Sequence, residues 1–395
     1  MRVVHIIPSV GLRSFGVGPV PLNLVREQTS LGISSTIWCL DNDATLEWAS
    51  SSSGLMHEYF RSFPTFGPSM FCLSLAMEKA GRFEVDSATI LHQHGIWTGV
   101  SRVTQVMRHY HQMATVIAPH GSLESWALKK SHWKKQIALT MYERDNLQRA
   151  SCFHACSEQE ISGIRNFGLR NPIAVIPNGV NESWLVSSGS SDDFRRHYHI
   201  SQDKRVMLFL SRVTPVKGLI LLIEALHTIL RSLDHWLLVV AGADEFDHKT
   251  EVINKIRDMR LDNYVMFTGM LTGQAKRDAF ATAELFVLPT KRENFAIVVA
   301  EALGIGIPVL TTKGAPWEEL LKYNCGWWVD VNSKAIAEGL KDALKRSPIE
   351  LHRMGQRGKQ LVVAKYTWGK AAQMTRVLYE WLLDRKEKPD FVVID

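Results

Sequence analysis

The chain has 395 residues, of which 46% are hydrophobic and 22% are charged, and it carries a net charge of +6 at pH 7. A chain of this length is expected to form two domains with a core in each, and the composition is that of an ordinary globular protein. The small positive charge suits an enzyme with anionic substrates or contact with an anionic membrane, and it is too weak to indicate a nucleic-acid-binding protein.

The cysteines and the apolar segments indicate the compartment. The chain has five cysteines, an odd number, and none lies in a C-x-x-C pair, which favours a reducing compartment. The apolar run in the opening MRVVHIIPSVG is too short for a signal peptide, and no stretch reaches the length of a membrane-spanning helix. We therefore expect a cytoplasmic protein.

The first half begins with a predicted strand, Val3 to Ile7, a glycine-rich loop, and a helix from about Val20 to Leu31. The loop contains Gly16 and Gly18 but lacks the third glycine of the G-x-G-x-x-G pattern. It is either a flexible connection or a loop whose backbone approaches a ligand, and the residues alone do not choose between the two. The missing glycine argues against a NAD-linked oxidoreductase.

Two further predicted strands each run into a His-Gly pair. Residues 89–92 lead into a segment with His94 and Trp97, and residues 115–118 lead into His120. In open parallel sheets, ligands bind outside the carboxyl ends of the strands. A single histidine at such a position is more often structural, so both interpretations stay open on the residues alone.

Trp126 begins a long predicted helix, 126–149, with four lysines between Lys129 and Lys135. This basic face is either solvated or in contact with anionic lipid headgroups or a lipid-diphosphate acceptor.

The α/β alternation restarts after a linker-like segment, residues 187–191. We therefore predict a boundary near residue 186, with an N-terminal domain at 1–186 and a C-terminal domain at 187–369. In the second domain a turn with Arg212 and Lys217 follows a predicted strand. Two cations on a turn are by default surface side chains.

The segment 285–312 predicts a βαβ unit of a parallel sheet. A buried strand, 285–288, is followed by a polar turn, a helix from Asn294 to Leu303, and a second strand from Pro308 to Leu310.

Two carboxylates and two amides of this unit could hold a nucleotide sugar. Glu293 and Glu301 would lie ~12 Å apart along the helix axis and on much the same side. The amides of Asn294 and Phe295 would point out of the helix N-terminus, where a phosphate is favoured. Two glutamates at this spacing are by themselves more often solvated side chains.

Taken together, these motifs resemble glycosyltransferase family 4, a retaining family with the two-domain GT-B fold. The resemblance rests on E-N-F-A-I-V-V-A-E, S-R-V-T-P-V-K-G and I-P-N-G-V, and on H-Q-H-G-I-W and H-G-S-L-E-S-W-A-L, which are similar to polysaccharide-type members. It implies two Rossmann-like α/β domains that face each other across a cleft. It also implies a final helix, about 370–395, that crosses back to the N-terminal domain.

The resemblance implies a hexosyltransferase-type enzyme. Its donor would be a UDP- or GDP-sugar and its acceptor a saccharide or a lipid-linked saccharide, in cell-surface polysaccharide synthesis. Neither a metal nor another cofactor is expected, and peripheral membrane contact is expected through the Lys129–Lys135 region. The departing phosphate would accept the acceptor's proton, because no enzymatic nucleophile is evident.

The resemblance also assigns roles to individual residues. Arg212 and Lys217 would clamp the diphosphate, while Glu293 and Glu301 would bind sugar and ribose hydroxyls. The predicted catalytic residues are His120, Arg212, Lys217 and Glu293. The predicted donor-binding residues are Gly16, Gly18, Arg212, Lys217, Met270, Leu271, Glu293, Asn294, Phe295 and Glu301, and the acceptor-side candidates are His94, Trp97 and Trp126.

The chain departs from the family at Ala296, where a glycine is often found. A GT-B sugar-nucleotide epimerase and a non-catalytic sugar-nucleotide-binding protein would carry similar motifs, and both stay open.

Overall fold

A computed structural model describes residues 1–11, 14, 16–68, 71–186 and 189–394. The chain divides into two compact units, which we call the first unit and the second unit. The first unit consists of Met1–Asn178 with Trp368–Asp395, and the second unit of Gly179–Thr367.

The strands of the first unit form a sheet in the order β3-β2-β1-β4-β5-β6-β7, and these strands are all parallel. They are β1 (Arg2–Ile6), β2 (Ser34–Cys39), β3 (Phe60–Ser62), β4 (Thr89–His94), β5 (Thr115–Ala118), β6 (Cys152–Ala155) and β7 (Ile173–Val175).

The strands of the second unit form a parallel sheet in the order β10-β9-β8-β11-β12-β13. They are β8 (Arg205–Leu210), β9 (Trp236–Ala241), β10 (Val265–Gly269), β11 (Ala283–Leu288), β12 (Val309–Thr312) and β13 (Gly326–Val329).

Helices connect the strands and flank the sheets. In the first unit they are α1 (Pro19–Ser30), α2 (Asp43–Ser53), α3 (Leu75–Phe83), α4 (Gly99–His111), α5 (Ser125–Lys129), α6 (His132–Ala138), a π-helical turn (Leu139–Glu143), α7 (Arg144–Gln148) and α8 (Glu158–Asn166). In the second unit they are α9 (Glu182–Leu185), α10 (Ser191–His197), α11 (Leu219–Thr228), α12 (His248–Asp258), α13 (Gly273–Thr282), α14 (Ile297–Gly304), α15 (Glu319–Lys322), α16 (Ser333–Lys345) and α17 (Pro348–Lys365).

Both sheets reverse their strand order at one point. In the first unit the reversal lies between β1 and β4, and in the second unit between β8 and β11. The loops that leave two such strands diverge to opposite sides, which opens a crevice at the carboxyl ends where ligands bind in open α/β sheets. The fold therefore predicts a site beside β8 and β11 and a second site beside β1 and β4.

The end of the chain returns to the first unit. Helix α18 (Trp368–Leu382) packs against α1, and Leu378 and Tyr379 join a core that includes Val3 and Leu24. A short strand, β14 (Val392–Val393), then pairs antiparallel with β7. The predicted return of the last helix to the N-terminal domain is confirmed.

The division between the units lies before the predicted boundary at residue 186. Val180 donates its backbone N–H to the Tyr366 carbonyl at 2.8 Å, and the Trp184 indole donates to the Glu301 carbonyl at 2.9 Å. These bonds tie the segment after Asn178 to the second unit. The predicted linker, 187–191, falls partly outside the described residues.

Helix α14 begins three residues later than predicted. Ala296 precedes it in the left-handed region, with φ 64° and ψ 68°, so that Asn294 and Phe295 lie in the loop rather than in the helix. Phe295 is held there because its ring packs against Trp317 and Tyr366. A tertiary aromatic cluster thus overrides the local helical preference.

Candidate active site

The loops after β8 and β11 approach each other closely because of Gly218. Its φ is +73°, and a Cβ atom at this position would lie 1.9 Å from the Pro289 carbonyl oxygen. The backbone N–H of Lys291 also donates to the Val216 carbonyl at 2.8 Å. The sequence S-R-V-T-P-V-K-G therefore ends in the residue that this approach requires.

The close approach pairs Lys217 with Glu293. The ammonium donates to the Glu293 carboxylate, and the two side chains are 13% and 12% exposed. A hydrogen bond from the Glu293 N–H to the Gly314 carbonyl, 2.7 Å, holds the backbone of the β11 loop against the loop that follows β12. Lys217 and Glu293 thus meet at the strand-order reversal, as predicted for two residues of one site.

Arg212 pairs with a carboxylate that the sequence did not single out. One terminal nitrogen of Arg212 lies 2.7 Å from both oxygens of Glu245, in the loop after β9. The Arg212 side chain remains 38% exposed. Both cations of the predicted diphosphate clamp are therefore held by carboxylates at the carboxyl edge of the sheet.

Glu301 has its own cation, Lys276 on α13. The Lys276 ammonium lies 2.7 Å from both carboxylate oxygens of Glu301 and 4.9 Å from the ring centre of Trp184. No motif in the sequence indicated that Glu245, Lys276 and Trp184 belong to the site. The only signal for them was indirect, because a half-buried glutamate in a binding site needs a partner.

The predicted placement of Asn294 and Phe295 at the start of helix α14 is wrong, because the helix starts after them, whereas the binding of a donor by their amides stays a prediction. The Phe295 side chain is 5% exposed, and its carbonyl accepts the Trp317 indole N–H at 2.6 Å, so Phe295 is structural. The buried side-chain oxygen of Asn294 lacks a hydrogen-bond partner among the described residues. A buried acceptor of this kind is expected to bind a donor group when the site is filled.

Met270 and Leu271 follow β10 at the same edge of the sheet. Met270 is 65% exposed and Leu271 is half-buried. Exposed apolar side chains here leave a surface on which a planar base could stack.

In the first unit, the glycine-rich loop is braced by Asp41. Its carboxylate accepts from the Ser9 hydroxyl at 2.6 Å and from the Val10 N–H at 2.7 Å. A Cβ atom at Gly18 would lie 2.0 Å from the Ser14 hydroxyl, whereas one at Gly16 would have none of the described residues within 4 Å. Gly18 is therefore required by packing, and Gly16 leaves room for a neighbouring group; residues 12, 13 and 15 lie outside the described part.

Buried glutamates hold the two His-Gly loops. The Glu143 carboxylate accepts the Trp97 backbone N–H, and the Glu160 carboxylate accepts the Gly121 N–H, both at 2.6 Å. Burial raises the pKa of Glu143 to about 7. Fixed loops of this kind hold the side chains that they carry in one position.

The histidines of these loops differ in exposure. His94 is fully buried, and its two ring nitrogens lie 2.9 and 3.2 Å from His5 and His120, so the expectation that it contacts an acceptor directly is wrong. His120 keeps part of its surface exposed, and burial lowers its pKa to about 3. His120 is therefore neutral near pH 7.

The two tryptophans predicted on the acceptor side are accessible to different degrees. Trp97 is half-buried, and its indole N–H donates to the Ser122 carbonyl at 3.3 Å. Trp126 is 42% exposed and donates to the Glu124 carboxylate at 2.7 Å. Only Trp126 offers an open ring face of any size.

Two α/β units with parallel sheets, the second with cation–carboxylate pairs at its strand-order reversal, are typical of enzymes that bind nucleotides. Sequence comparison makes this specific. Residues 16–184 match the profile "Glycosyltransferase Family 4", and residues 190–361 match "Glycosyl transferases group 1". The chain belongs to glycosyltransferase family 4 and has the GT-B fold.

Individual relatives agree with this assignment. An uncharacterised glycosyltransferase of Methanocaldococcus jannaschii is 26% identical over 79% of this chain and 80% of its own length. A lipopolysaccharide 1,2-N-acetylglucosaminetransferase of Salmonella typhimurium is 25% identical over 51% of this chain and 54% of its own length. The match thus spans about half of the Salmonella relative.

Solved structures show the same fold. Anabaena HepE, crystallised with UDP and glucose, superposes with a TM-score of 0.77 at 17% identity, over 96% of this chain and 100% of that one. WaaG, a glycosyltransferase involved in lipopolysaccharide biosynthesis, gives a TM-score of 0.67 at 14% identity, over 96% and 99% of the two chains. At these identities the likeness concerns the fold alone.

Proposed function

We propose that this glycosyltransferase moves a hexose from a UDP- or GDP-sugar to a saccharide or lipid-linked acceptor in cell-surface polysaccharide synthesis, with retention of the anomeric configuration. The observation that carries the proposal is the Lys217–Glu293 pair at the β8/β11 reversal. The pair supports the proposal because it joins a cation, which could bind phosphate, to a carboxylate, which could bind sugar hydroxyls, at the edge where α/β sheets bind phosphorylated ligands.

Arg212 and Lys217 could lower the barrier of the reaction by stabilising the negative charge that develops on the leaving group. As the glycosidic bond to the donor breaks, the leaving diphosphate gains negative charge. Arg212 and Lys217 can stabilise it by exchanging their carboxylate partners for phosphate oxygens. The protein's own cations would then serve in place of a metal ion, and the departing phosphate would accept the acceptor's proton.

The remaining donor contacts follow from the pairs around this centre. Glu293 would bind hydroxyls of the transferred sugar and Glu301 those of the ribose, with Lys276 holding the Glu301 carboxylate in place. Met270 and Leu271 would cover the base, and the unpaired Asn294 oxygen would accept a donor hydroxyl.

The first test is ligand binding. Thermal shifts with UDP-, GDP- and ADP-sugars should single out one nucleotide, because a ligand that binds the folded state raises the unfolding temperature. A protein that none of the three stabilises would contradict the proposed donor site.

The second test is turnover. Arg212→Ala and Lys217→Ala should each lower kcat/KM by on the order of 10²–10³, as for other groups that stabilise developing charge. Lys255→Ala is the matched control, because Lys255 pairs with Glu224 at the surface and lies on α12. Near-normal turnover in both clamp variants would remove the assignment.

The same assay separates the other activities. Release of free nucleoside diphosphate that requires an acceptor identifies a transferase. An isomerised donor without acceptor identifies an epimerase, and binding without either product identifies a non-catalytic binder.

We also propose that the first unit contacts the cytoplasmic face of a membrane. Trp133, Ile137 and Met141 follow one another at helical spacing and are 57%, 39% and 56% exposed. Lys134 lies beside them, with its ammonium 5.6 Å from the Trp133 ring centre, and Lys129 precedes them in the chain. An apolar stripe with flanking lysines suits an anionic lipid surface.

Vesicle sedimentation tests this contact. The protein should bind vesicles of phosphatidylcholine that contain phosphatidylglycerol, and Trp133→Ser should weaken the binding severalfold. Trp48→Ser is the control, because Trp48 is 38% exposed on α2. Equal binding by the two variants would contradict the proposal. Among the described residues no helix combines the length and apolar character needed to cross a bilayer.

A further inference from the structure

Buried histidines form a layer in the first unit between the sheet and helices α1 and α18. His5 on β1 and His92 on β4 are register partners at the strand-order reversal, with His94 and His154 on β4 and β6. These four side chains are at most 2% exposed. Buried imidazoles must find hydrogen-bond partners, and here they bond to one another.

The direction of these bonds is fixed at one end by a backbone carbonyl. His154 Nε2 lies 2.8 Å from the Ile176 oxygen, which can only accept, so Nε2 of His154 carries the proton. Neutral His154 then has a lone pair on Nδ1, 3.1 Å from His92 Nε2, which must donate. The His92 Nδ1 atom is therefore an acceptor, and Tyr379 donates its O–H to it at 2.7 Å.

Gln28 determines which ring nitrogens donate hydrogen bonds in His5 and His94. The hydrogens of the Tyr379 and Thr375 hydroxyls are both used, that of Thr375 by the Ala372 carbonyl, so both oxygens accept from the Gln28 amide nitrogen, at 3.3 and 3.0 Å. The Gln28 oxygen therefore faces His5 Nε2, at 2.8 Å. His5 Nε2 therefore donates, and its Nδ1 accepts from His94 Nε2 at 2.9 Å.

The series of hydrogen bonds ends at His120. His94 Nδ1 must accept, and His120 Nε2 donates to it at 3.2 Å. His120 Nδ1 is left with a lone pair, 3.8 Å from the sulfur of Cys156, which is a weak donor. Every step from Ile176 to His120 thus allows a single arrangement of protons as long as the imidazoles are neutral.

We propose that this relay, which runs from the Ile176 carbonyl through Tyr379 and Gln28, fixes His120 in the form protonated at Nε2, so that its Nδ1 can only accept a hydrogen bond, from the Cys156 thiol or from a substrate hydroxyl. This role rests on the glycosyl transfer proposed above. Gln28, His5 and His94 are positioning residues that act through His120. They explain why a fully buried His94 belongs to the site although it touches no ligand.

The surroundings keep the relay neutral. Burial lowers the pKa of His5 and His154 to about 4, and lowers those of His92 and His94 well below the usual value. Burial also raises the pKa of Tyr379, which stays protonated. Beside His120, the carboxylate of Glu160 is engaged by the N–H groups of Gly121 and Cys156.

A metal ion bound by three of these histidines is the alternative to the hydrogen-bonded relay. Ring nitrogens of His5, His92 and His94 lie within 4.8 Å of one another. In the arrangement above, the lone pair of each ring is already used by a neighbour's proton, so a metal would have to break three hydrogen bonds. Zinc added to the protein should therefore leave the ring signals of these histidines unchanged.

Long-range ¹H–¹⁵N correlation spectra of the imidazoles test the relay without any substrate. All five histidines should show a protonated Nε2 and an unprotonated Nδ1. A protonated Nδ1 on any of them, or zinc-dependent shifts of His5, His92 and His94, would overturn the inference whether or not the protein transfers sugar.

Tyr379→Phe combined with Thr375→Val tests the coupling, because these two hydroxyls are the acceptors of the Gln28 amide nitrogen, at 3.3 and 3.0 Å. Without them the Gln28 amide can reverse together with the Ser35 hydroxyl that donates to its oxygen, so a protonated-Nδ1 population should appear together at His5, His94 and His120 but not at His92 or His154. Transfer should fall by about tenfold, the worth of one hydrogen bond, while binding of UDP or GDP alone is unchanged. Five unaltered tautomers would refute the coupling; Tyr110→Phe, 57% exposed, is the control.

Gln28→Glu gives an independent readout if the double variant folds poorly. A carboxylate beside His5 favours a proton on the relay and should move the acid limb of kcat/KM upward by about one pH unit or more. A stability loss with an unmoved pH profile would show that Gln28 is merely structural and would contradict the proposed role.

Discussion

The ammonium of Lys217 and the carboxylate of Glu293 form an ion pair between the loops that follow β8 and β11, with side chains only 13% and 12% exposed. Removing either partner leaves a half-buried charge alone. We expect Lys217→Met and Glu293→Gln each to lower the free energy of unfolding by about 1–3 kcal/mol, with the double variant losing less than the sum.

Urea unfolding of the four proteins measures this coupling. The exposed pair of Arg346 with Asp342, 42% and 49% exposed, is the matched control and should couple by less than about 0.5 kcal/mol. Strictly additive losses for Lys217 and Glu293 would mean that the pair is not formed in solution.

Ala296 has a φ of 64°, a conformation that an alanine adopts at a cost and a glycine without one. Ala296→Gly should therefore stabilise the second unit by about 1 kcal/mol and raise its Tm by about 2–4 °C. Ala300→Gly, in the interior of α14, should destabilise it by about 1 kcal/mol. A loss of stability in Ala296→Gly would indicate that the loop differs from this geometry.

The five histidines of the relay make the protein sensitive to acid. Burial lowers the pKa of His5 and His154 to about 4 and that of His120 to about 3, whereas the unfolded chain binds these protons near pH 6.5. Because the unfolded state binds more protons between these values, stability is full above about pH 6.5 and falls as the pH drops toward 4. Each histidine contributes up to about 1.4 kcal/mol per pH unit.

Urea midpoints between pH 4.5 and 7.5 measure the acid effect. His227→Gln, an exposed histidine, should leave the slope unchanged. A wild-type midpoint that does not move between pH 7 and 5 would contradict the buried neutral histidines.

The ionisation of Glu143 changes the stability with pH in the opposite direction to that of the histidines. Burial raises its pKa to about 7, whereas the unfolded chain ionises it near 4.5. The folded state therefore binds the extra proton between these values, and this group removes stability as the pH rises from 4.5 to 7. The unfolding free energy of Glu143→Gln minus that of the wild type should increase by up to about 3 kcal/mol over this range.

The glutamine retains one oxygen that can accept the Trp97 N–H. Any loss of stability that does not depend on pH leaves the pH dependence of the free-energy difference unchanged. Glu338→Gln, a surface glutamate on α16, serves as the control. If the unfolding free energies of Glu143→Gln and the wild type differed by the same amount at pH 4.5 and pH 8, Glu143 would not be buried in its neutral form.

Local patterns in the sequence predicted much of the site. Apolar runs and turns predicted the βαβ unit around residues 285–312, and the motif S-R-V-T-P-V-K-G predicted that Arg212 and Lys217 follow a strand. These features depend on neighbours within a few residues. The partners Glu245 and Lys276 come from other loops and helices, and no local pattern pointed to them.

Two local predictions failed because distant residues override them. Asn294 and Phe295 read as the start of a helix, but Trp317 and Tyr366 bury the Phe295 ring and delay the helix to Ile297. His94 lies at a strand end where ligands bind, but it is buried, and its two ring nitrogens face His5 and His120.

The sequence by itself determined the two α/β halves and the strand ends that carry functional side chains, because hydrophobic periodicity and turn chemistry act over short distances. The family followed from the resemblance of its motifs. Only the tertiary structure decided which charges are paired and how the histidines share their protons. Residues 5, 28, 92, 94, 120, 154 and 379 have no common spacing in the chain. The parallel register of the strands and the return of α18 bring them together, and the backbone carbonyls of Ile176 and Ala372 then order their hydrogen bonds.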